Sequence, residues 1–464
     1  MKRAAIFLLL AFLPGKAFCA QAQTPDSVTL AFEEGKLIFP GNTVSMGLGF
    51  VSKNGGVSHT RGLLNGRIPW RKLHIESSID PRIRNGIIRL PPDLSLVKEK
   101  TFTLRVYDRK KKRLYYQTTV PYHYPVHLKP QLPAGFTKAP GFHVPFRLSL
   151  QWNNGTTTEV NHKKGNLIAL DDFSYYVEGG QVSKNRLCIS PDVDAFADHT
   201  VAMHAYAKKF TIPESDMVSF MLDYKACYTV AKSAWDGSGG SHGFSGHDGS
   251  SGCNGTDGGW GTPGSDGAPG HDLEVALDAY FDEILQATLV DVRVTDLATG
   301  SRNLYRVNAE QGKVIVTSKG GDGGGGGHGG SGGDGGNGAD GSVEKVRKKV
   351  NDSTYVEETI RHPGSPGGHG GNGGHGAPGG DGGDGGIIHV HHTEAAYPYL
   401  YVLEAHSLAG SGGWGGNGGS AGSGGRGGSG EPSGSSGGSG SSGYGASSGS
   451  DGRRGRIIHH TVGN

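Results

Sequence analysis

Glycine at every third position is the feature that most constrains how this chain can fold. Of its 84 glycines, 16 lie in residues 1–236 and 68 in residues 237–464. The second half keeps glycine in phase over four tracts, 237–270, 320–341, 364–385 and 410–455, and the last tract breaks phase only at Glu431 and Ala446. A region this poor in apolar side chains cannot bury an ordinary core. Its backbone must hold it together, or it must stay unfolded.

A period of three predicts polyproline II geometry, which has three residues per turn and no internal hydrogen bonds. The amides of such a helix must therefore pair with neighbouring segments, and glycine permits the close approach because it has no Cβ. In 320–341 and 364–386 a second phase is also almost wholly glycine. We expect these two tracts inside a bundle. The tracts 237–270 and 434–455, with one glycine phase, are expected at its edges.

The tract lengths fit one bundle. At about 3.1 Å per residue, the segments 320–341, 364–386, 410–430 and 434–455 each span about 65–70 Å. The longer tract 237–270 must bend, overhang or fold back. Predicted strand pairs between tracts, such as Ile387–Thr393 with Tyr399–Glu404, would reverse the chain. Ile387-Ile388-His389 and Ile457-Ile458-His459 follow two tracts in the same way, which predicts equivalent strands in an end-capping sheet.

Two alternatives to an intramolecular bundle remain open. A homotrimeric collagen-like stalk also needs glycine at every third position, but collagen places proline between the glycines. These tracts carry few prolines, and two of them carry glycine in a second phase. A flexible Gly/Ser linker fits best at 433–450, where serine is abundant. We favour the bundle, with a monomeric chain.

The first half has the pattern of a β protein. Val44, Met46, Leu48 and Phe50 alternate with small or polar residues, as short strands in a sandwich do. Segments also repeat at an offset of 99 residues, since Phe102–Tyr107 matches Val201–Tyr206 and Leu90-Pro91-Pro92-Asp93 matches Ile189-Ser190-Pro191-Asp192. The repeat predicts two copies of one domain, over residues 26–124 and 125–234, with the glycine-rich domain over 235–464.

The predicted fold class is therefore all-β with polyglycine II: two tandem sandwiches, then a polyproline-II-type bundle capped by strands. The sandwiches resemble, in size and strand rhythm, the immunoglobulin-like modules of bacterial surface proteins. The glycine-rich half resembles the N-terminal domain of Obg-family GTPases and the polyglycine-II tips of phage tail-fibre adhesins. In overall order the chain is similar to secreted bacterial collagen-like proteins. These resemblances imply an architecture and leave the function open.

The N-terminus predicts export. Met1-Lys2-Arg3 precedes an apolar run, Ala4–Leu13, and a small-x-small site at Ala20-Gln21-Ala22 predicts a signal peptide over 1–22. Cys19 is a second candidate, as a lipidation site, although Lys16-Ala17-Phe18 departs from a lipobox. We expect a periplasmic, outer-membrane-surface or extracellular protein. Its net charge of +2 argues against a general nucleic-acid binder.

Cysteine and histidine give three candidate sites. Export permits a disulfide, and Cys188 with Cys227 is the favoured pair. Buried free thiols are the alternative. His389 and His391 alternate on one predicted strand and could share a metal, with His459 and His460 joining them if the two strands are neighbours. Polar histidines on a wet strand face are the favoured interpretation. Rows of aspartate on the wet face of the tracts leave weak calcium binding open, with no other cofactor expected.

Two further groups are candidates for binding. The basic run Arg109-Lys110-Lys111-Lys112-Arg113 lies where a hairpin turn is expected. We favour a solvated turn that discourages edge pairing, with contact to an anionic surface as the alternative. Trp260, Trp414 and Tyr444, and similarly Phe244, interrupt the polar rows of the tracts. Exposed rings of this size often mark contact sites.

No pattern in the chain points to catalysis. The many G-x-G-x-x-G matches follow from the triplet repeat and lack a strand–turn–helix setting. No G-x-x-x-x-G-K-[ST] occurs, G-x-S-x-G occurs only within the glycine tracts and forms no nucleophile elbow there, and no cysteine has a protease context. We expect a non-enzymatic structural or adhesive envelope protein that contacts protein or glycan. The alternatives are an accessory subunit of an outer-membrane or secretion complex and a trimeric stalk.

Overall fold

The chain is all-β, with 40% of residues in strands and 5% in helix. A computed structural model describes residues 25–160, 168–196 and 198–462. The predicted signal peptide, its cleavage site and Cys19 lie outside the described residues. The chain divides into two compact units, the first ending at Leu222 and the second beginning at Asp223. Each unit is described by itself below.

The first sequence copy folds into two sheets. One has the order β1-β2-β6-β5, with β3 paired to β2, and the other has the order β4-β7-β8. The strands are β1 Ser27–Phe32, β2 Thr43–Val51, β3 Val57–His59, β4 Leu73–Ser77, β5 Arg82–Arg84, β6 Ile87–Arg89, β7 Thr101–Asp108 and β8 Leu114–Pro121. Short 3-10 helices span Trp70–Lys72 and Leu94–Glu99. One core unites the two sheets, because Met46 and Leu48 of β2 pack in the same buried cluster as Phe102 and Leu104 of β7.

The second copy carries matching elements at the same sequence offset. Its sheets have the orders β12-β11-β9-β17, β13-β16-β18 and β10-β15-β14. The strands are β9 Pro125–Gln131, β10 His143–Pro145, β11 Arg147–Trp152, β12 Thr157–Val160, β13 Phe173–Glu178, β14 Gly180–Ser183, β15 Arg186–Ile189, β16 Thr200–Ala207, β17 Glu214–Ser215 and β18 Met217–Met221. The 3-10 helices Leu170–Asp172 and Val193–Ala195 occupy places like those of the first copy. Asp93 and Asp192 each cap the 3-10 helix that follows, by accepting a backbone N–H two residues on.

The second unit combines strands with long glycine tracts. Its strands are β19 Cys227–Ser233, β20 Leu273–Asp282, β21 Ala287–Asp296, β22 Arg302–Asn308, β23 Lys313–Lys319, β24 Val343–Asn351, β25 Thr354–Arg361, β26 Ile388–His392, β27 Leu403–Leu408 and β28 Ile457–Thr461. The sheet orders are β22-β21-β20-β26-β28 and β19-β23-β27, and β24 pairs with β25 as a hairpin. The two strands predicted to share a sheet, β26 and β28, are parallel neighbours in it, with Ile388 opposite Ile457.

Two local features differ from the sequence expectations. Cys227–Ser233, expected in the second copy, pairs along its whole length with β23 in the second unit, a distant partner that local periodicity does not reveal. The strand expected over Tyr399–Glu404 is a 3-10 helix, Tyr397–Val402, with Pro398 in its first turn, and the strand begins only at Leu403. Both β19 and β27 flank β23, and Val230, Val316 and Val390 contribute to one buried core from the two larger sheets.

The glycine tracts run as six extended segments, which carry neither α-helix nor strand pairing of their own. We name them G1 to G6: G1 237–249, G2 255–270, G3 320–341, G4 364–386, G5 410–430 and G6 434–455. The first tract folds back on itself, because the Cys253 N–H donates to the Ser250 carbonyl and Gly252 has a φ of +68°. The chain also reverses between G5 and G6, where Gly437 N–H donates to Gly425 O and Gly440 N–H to Gly422 O.

Glycine amides bond each segment to its neighbours at intervals of three residues. Gly243 N–H in G1 donates to His328 O in G3, and Gly329 N–H in G3 donates to Asn417 O in G5. In both pairs the residue numbers of donor and acceptor increase together along the segments, so G1, G3 and G5 form one parallel layer. G2, G4 and G6 form a second layer in the same way. Between the two layers the acceptor number falls as the donor number rises, so the segments are antiparallel. Gly327 N–H donates to Thr262 O and Gly330 N–H donates to Gly259 O.

The two segments with two glycine phases lie at the centre of this arrangement. G3 hydrogen-bonds to G1, G2, G4 and G5, whereas G4 hydrogen-bonds to G2, G3, G5 and G6. Steric room explains the composition. A Cβ at Gly329 would lie 1.9 Å from Gly374 O, and one at Gly330 would lie 1.9 Å from Phe244 O. Ala377 occupies a glycine phase of G4 with its methyl group buried, so one Cβ is accepted there.

A buried carboxylate links the strands at the sheet end of the tracts. The Asp296 side chain is fully buried and accepts from His271 Nδ1 at 3.0 Å and from the Ala298 N–H at 3.0 Å. Lys232 Nζ lies 3.3 Å away. Burial alone would raise the pKa of Asp296, but the hydrogen bonds from His271, Thr299 and Lys232 outweigh it and hold the pKa well below its usual range.

Replacing one interior glycine should separate the segments. We expect Gly330→Ala to lower the stability of the second unit by about 3 kcal/mol or more, because its Cβ meets a backbone carbonyl that cannot move without breaking hydrogen bonds. Gly325→Ala, in the same segment, is the control, since its nearest neighbour would be 3.8 Å away. Scanning calorimetry of the full chain measures both. Equal effects of the two variants would contradict the steric account.

Asp296→Asn should destabilise the second unit by about 2–3 kcal/mol at pH 7, since it leaves His271 and Lys232 without their buried partner. Because the folded-state pKa is depressed, the wild-type advantage is present above about pH 4 and is lost as pH falls further. Urea unfolding at pH 7 and pH 3 should show the gap between wild type and variant shrinking in acid. Asp352→Asn, whose side chain is exposed, is the control. A gap that is constant with pH would contradict the proposed role of this carboxylate.

Candidate functional site

The second unit presents two outward faces, each made by the third, mostly non-glycine phase of three segments. On the first face the rows come from G1, G3 and G5, and on the second they come from G2, G4 and G6. The central rows of the two faces are Asp322, His328, Ser331, Asp334, Asn337 and Asp340 in G3, and His369, Asn372, His375, Pro378, Asp381 and Asp384 in G4. Both faces are therefore regular, polar and anchored directly to hydrogen-bonded backbone.

Many of these side chains accept a hydrogen bond from the next segment. The Asp322 N–H donates to Asp236 Oδ1 at 2.8 Å, and Asp322 Oδ1 in turn accepts the Ser411 N–H at 2.8 Å. The backbone bond from Ser411, followed by Lys319 Nζ at 3.0 Å, lowers the pKa of the Asp322 carboxyl. The same relay runs from His328 to Asn417 and from Asp381 to Ser450. Backbone N–H groups of the third phase thus donate to side chains of a neighbouring stretch of chain.

Sequence reasoning missed this role of the third phase. Aspartate, asparagine and histidine carry an acceptor close to the backbone, which suits the short distance to a neighbouring segment. The signal was present as fixed offsets. Acceptor and donor are 86 residues apart at Asp236 and Asp322, His242 and His328, and Asp248 and Asp334. A search for acceptor residues at one shared offset would have paired the segments.

The second face carries a row of three aromatic rings. Trp260 of G2 lies edge-on to His375 of G4, with ring centroids 5.1 Å apart, and His375 stacks with Tyr444 of G6 at 5.3 Å. Trp260 is 72% exposed and Tyr444 78% exposed. The Tyr444 N–H donates to His375 Nδ1 at 2.9 Å. Backbone hydrogen bonds thus fix the spacing of the row, whereas its outer rings stay open to solvent.

The other predicted aromatic residues are not part of this row. Trp414 is 83% exposed, and its position in the third phase of G5 places it on the first face. Phe244 lies in G1 against Gly259 of G2, at the edge between the two layers. The structure therefore brings together Trp260 and Tyr444 and leaves Trp414 apart.

The basic run forms the predicted hairpin turn between β7 and β8. Arg109, Lys110, Lys111, Lys112 and Arg113 are all exposed. Asp108 organises the turn by accepting the N–H groups of Lys110 and Lys111. Its other oxygen accepts the Tyr115 hydroxyl at 2.5 Å, and burial together with this carboxylate raises the pKa of Tyr115 to about 12. The five cations point to solvent from an ordered turn.

The structure brings His389, His391 and His460 together on neighbouring strands. His389 Nδ1 lies 3.2 Å from His460 Nε2, and the His391 and His460 rings stack with centroids 4.7 Å apart. The rings stack rather than converge on one point. Within the described residues no group of three or more His, Cys, Asp or Glu side chains is arranged to hold a metal ion. That finding covers the aspartate rows of the tracts as well.

The predicted disulfide between Cys188 and Cys227 is not formed, and both carry free thiols, as does Cys253. The prediction assumed that both lie in strands of one domain. Cys188 lies in β15 of the first unit, whereas Cys227 begins β19, which pairs with β23 in the second. Cys188 Sγ instead lies 2.9 Å from His143 Nδ1.

The relay fixes the tautomer of the tract histidines. Nδ1 of His242, His328, His369 and His375 accepts a backbone N–H, so each neutral ring must carry its proton on Nε2. Long-range ¹⁵N–¹H correlation spectra at pH 8 should show these four rings as single Nε2–H tautomers. The exposed His74, whose Nε2 lies 3.4 Å from Glu76 Oε1, provides the comparison outside the tracts. An Nδ1–H signal from any of the four would contradict the relay.

Comparison with known proteins adds no family to this description. No protein-family model matches the chain, and no curated protein matches it. Among the residues that the structure describes, no helix is long and apolar enough to cross a membrane. What the two faces can do must be argued from their own geometry.

Proposed function

We propose that this chain is an exported, non-enzymatic structural or adhesive protein of the cell envelope or cell surface. In this proposal the glycine segments form a rigid polyglycine-II bundle that presents flat faces to a protein or glycan. The two copies in the first unit are immunoglobulin-like sandwiches that space or dock the bundle. Export is inferred from the signal-peptide pattern at residues 1–22.

The hydrogen-bond pattern supports a polyglycine-II bundle. Each segment repeats its contacts every three residues, as a helix with three residues per turn requires. Donors and acceptors lie on different segments of the same chain, as in Gly374 N–H to Gly330 O. Because the central segments find their partners within one chain, the arrangement favours a monomer over a trimeric stalk.

The aromatic row Trp260–His375–Tyr444 is the observation that carries the proposal. Large exposed rings on a soluble surface mark contact sites more often than chance. Here three rings come from three different segments and meet on one face. The flanking rows supply hydrogen-bonding groups at a fixed spacing. For example, the Asp257 carboxylate accepts the Asn372 backbone N–H at 2.6 Å, which fixes the two residues relative to each other. A rigid surface of this kind loses little conformational entropy when a partner binds.

Sedimentation with isolated envelope fragments of the source cells tests this proposal. We expect the Trp260→Ala/Tyr444→Ala double variant to bind at least about tenfold more weakly, because such anchors dominate contact energies. Trp414→Ala removes an equally exposed ring from the other face and should bind as wild type does. Equal binding by all three chains would reject the row as the contact surface. Protease-treated fragments then separate a protein partner from a glycan.

A second candidate function is an accessory subunit of an envelope complex, held through the basic turn. The exposed, ordered run from Arg109 to Arg113 favours it, since fixed charges of one sign attract an acidic surface. Replacing all five by glutamine should then abolish capture from envelope extracts and leave the aromatic row intact. Unchanged capture would remove this alternative.

Solution mass tests the stalk, because a trimer that melts cooperatively to monomer would contradict the intramolecular bundle.

A further inference from the structure

A cysteine and a histidine form a close pair in the first unit, far in sequence from the glycine tracts. Cys188 of β15 has His143 of β10 as its cross-strand partner on one side and Gln181 of β14 on the other. Directly opposed residues project to the same face of a sheet. Cys188 Sγ and His143 Nδ1 are 2.9 Å apart, within hydrogen-bonding reach of a nucleophile and its base.

The pair lines a cavity of about 540 Å³. Its walls include Val177, Gly179, Gln181, Pro191 and Ala195. Among the described residues, Cys188 and His143 are the titratable side chains that line it. A volume of this size accommodates a small organic molecule.

The surroundings of the thiol select what can reach it. Cys188 is 7% exposed, and its strand neighbours Leu187 and Ile189 are buried on the opposite side of the sheet. The exposed His143 and Gln181 flank it. Because only a small part of Cys188 is exposed, a small disulfide that enters the cavity reaches the sulfur more readily than a disulfide on a folded protein does. Cys227 and Cys253, by contrast, are exposed.

We propose that Cys188 is a reactive thiol that exchanges with low-molecular-weight disulfides, with His143 as its base. His143 Nδ1 takes the Sγ proton as sulfur attacks one sulfur of the disulfide. The new S–S bond joins Cys188 to half of the molecule, and the other half leaves as a thiolate, which takes the proton back from the imidazolium. One disulfide and one thiol give one mixed disulfide and one thiol, so no further oxidant is needed.

The three thiols of one chain provide the test. The chain from residue 23 onward is treated with oxidised glutathione at pH 7, and the mixed disulfide at each cysteine is followed by peptide mass spectrometry. We expect Cys188 to react at least about tenfold faster than Cys227 and Cys253, in spite of its burial, because a positioned base accelerates proton transfer. Cys188 reacting slowest of the three, as an inert buried thiol does, would overturn the proposal.

The His143→Gln variant tests whether His143 acts as the base for Cys188. We expect the Cys188 rate to fall at least about tenfold, while the rates of Cys227 and Cys253 stay unchanged. His74→Gln, at an exposed histidine of the same unit, should change none of these. An unchanged Cys188 rate in a folded His143→Gln chain would overturn the role of His143. If that variant does not fold, the wild-type comparison of the three thiols still decides the proposal.

Discussion

The second unit depends on backbone hydrogen bonds between segments that approach more closely than any Cβ allows. A methyl group at most interior glycine positions would lie about 2 Å from a carbonyl oxygen of the neighbouring segment, as at Gly368 and Gly371. The glycine amides of these extended segments donate to carbonyls of neighbouring segments, as Gly368 N–H does to Gly336 O. Glycine is therefore needed at most positions where a segment meets a neighbour, with Ala377 as an exception, and most other residues of G3 and G4 occupy the outward phase. Composition, phase and packing follow from this one constraint.

The outward phase is itself part of the hydrogen-bond system. Side chains such as Asp334 and His328 accept the amides that do not meet a carbonyl, so the polar rows are fastened to the backbone. The strands supply the apolar side chains that the glycine segments lack. β20, β23 and β26 connect directly to segment ends and bury Leu273, Val314 and Ile388 in a shared apolar core. The buried Asp296 joins His271 and Lys232 at that end. An apolar core thus fixes one end of the segments, and backbone hydrogen bonds hold them together along their length.

How much of this could be predicted depends on whether the cause is local. The period of three predicted which tracts would be central, because a second glycine phase is visible in residues 320–341 and 364–386. The excess length of 237–270 predicted that this tract would bend, overhang or fold back, and it folds back at Gly252. The same logic could not place β19, since its partner β23 lies 86 residues away and leaves no periodic trace. The side-chain relay was missed because it depends on register between segments.

The candidate sites divide in the same way. Exposure of Trp260, Trp414 and Tyr444 follows from their phase, but only the register of G2, G4 and G6 brings Trp260 and Tyr444 beside His375. Cys188 was paired with the wrong partner because a disulfide was sought between strands of one domain. Its neighbour is His143, which is 45 residues away in sequence and in register across a sheet. Such pairs arise from strand pairing, which single-sequence periodicity does not contain.

Hydrogen–deuterium exchange in the full chain is the most direct test of the central claim, that inter-segment backbone bonds hold the glycine tracts. The account predicts slow exchange for glycine amides of G3 and G4, comparable to that of β20 and β21. Ser436 and Ser439 of G6 should exchange faster, because among the described residues their backbone N–H groups donate to no other segment. Exchange of all tract amides at the rate of an unstructured chain, with the strands still protected, would contradict the account.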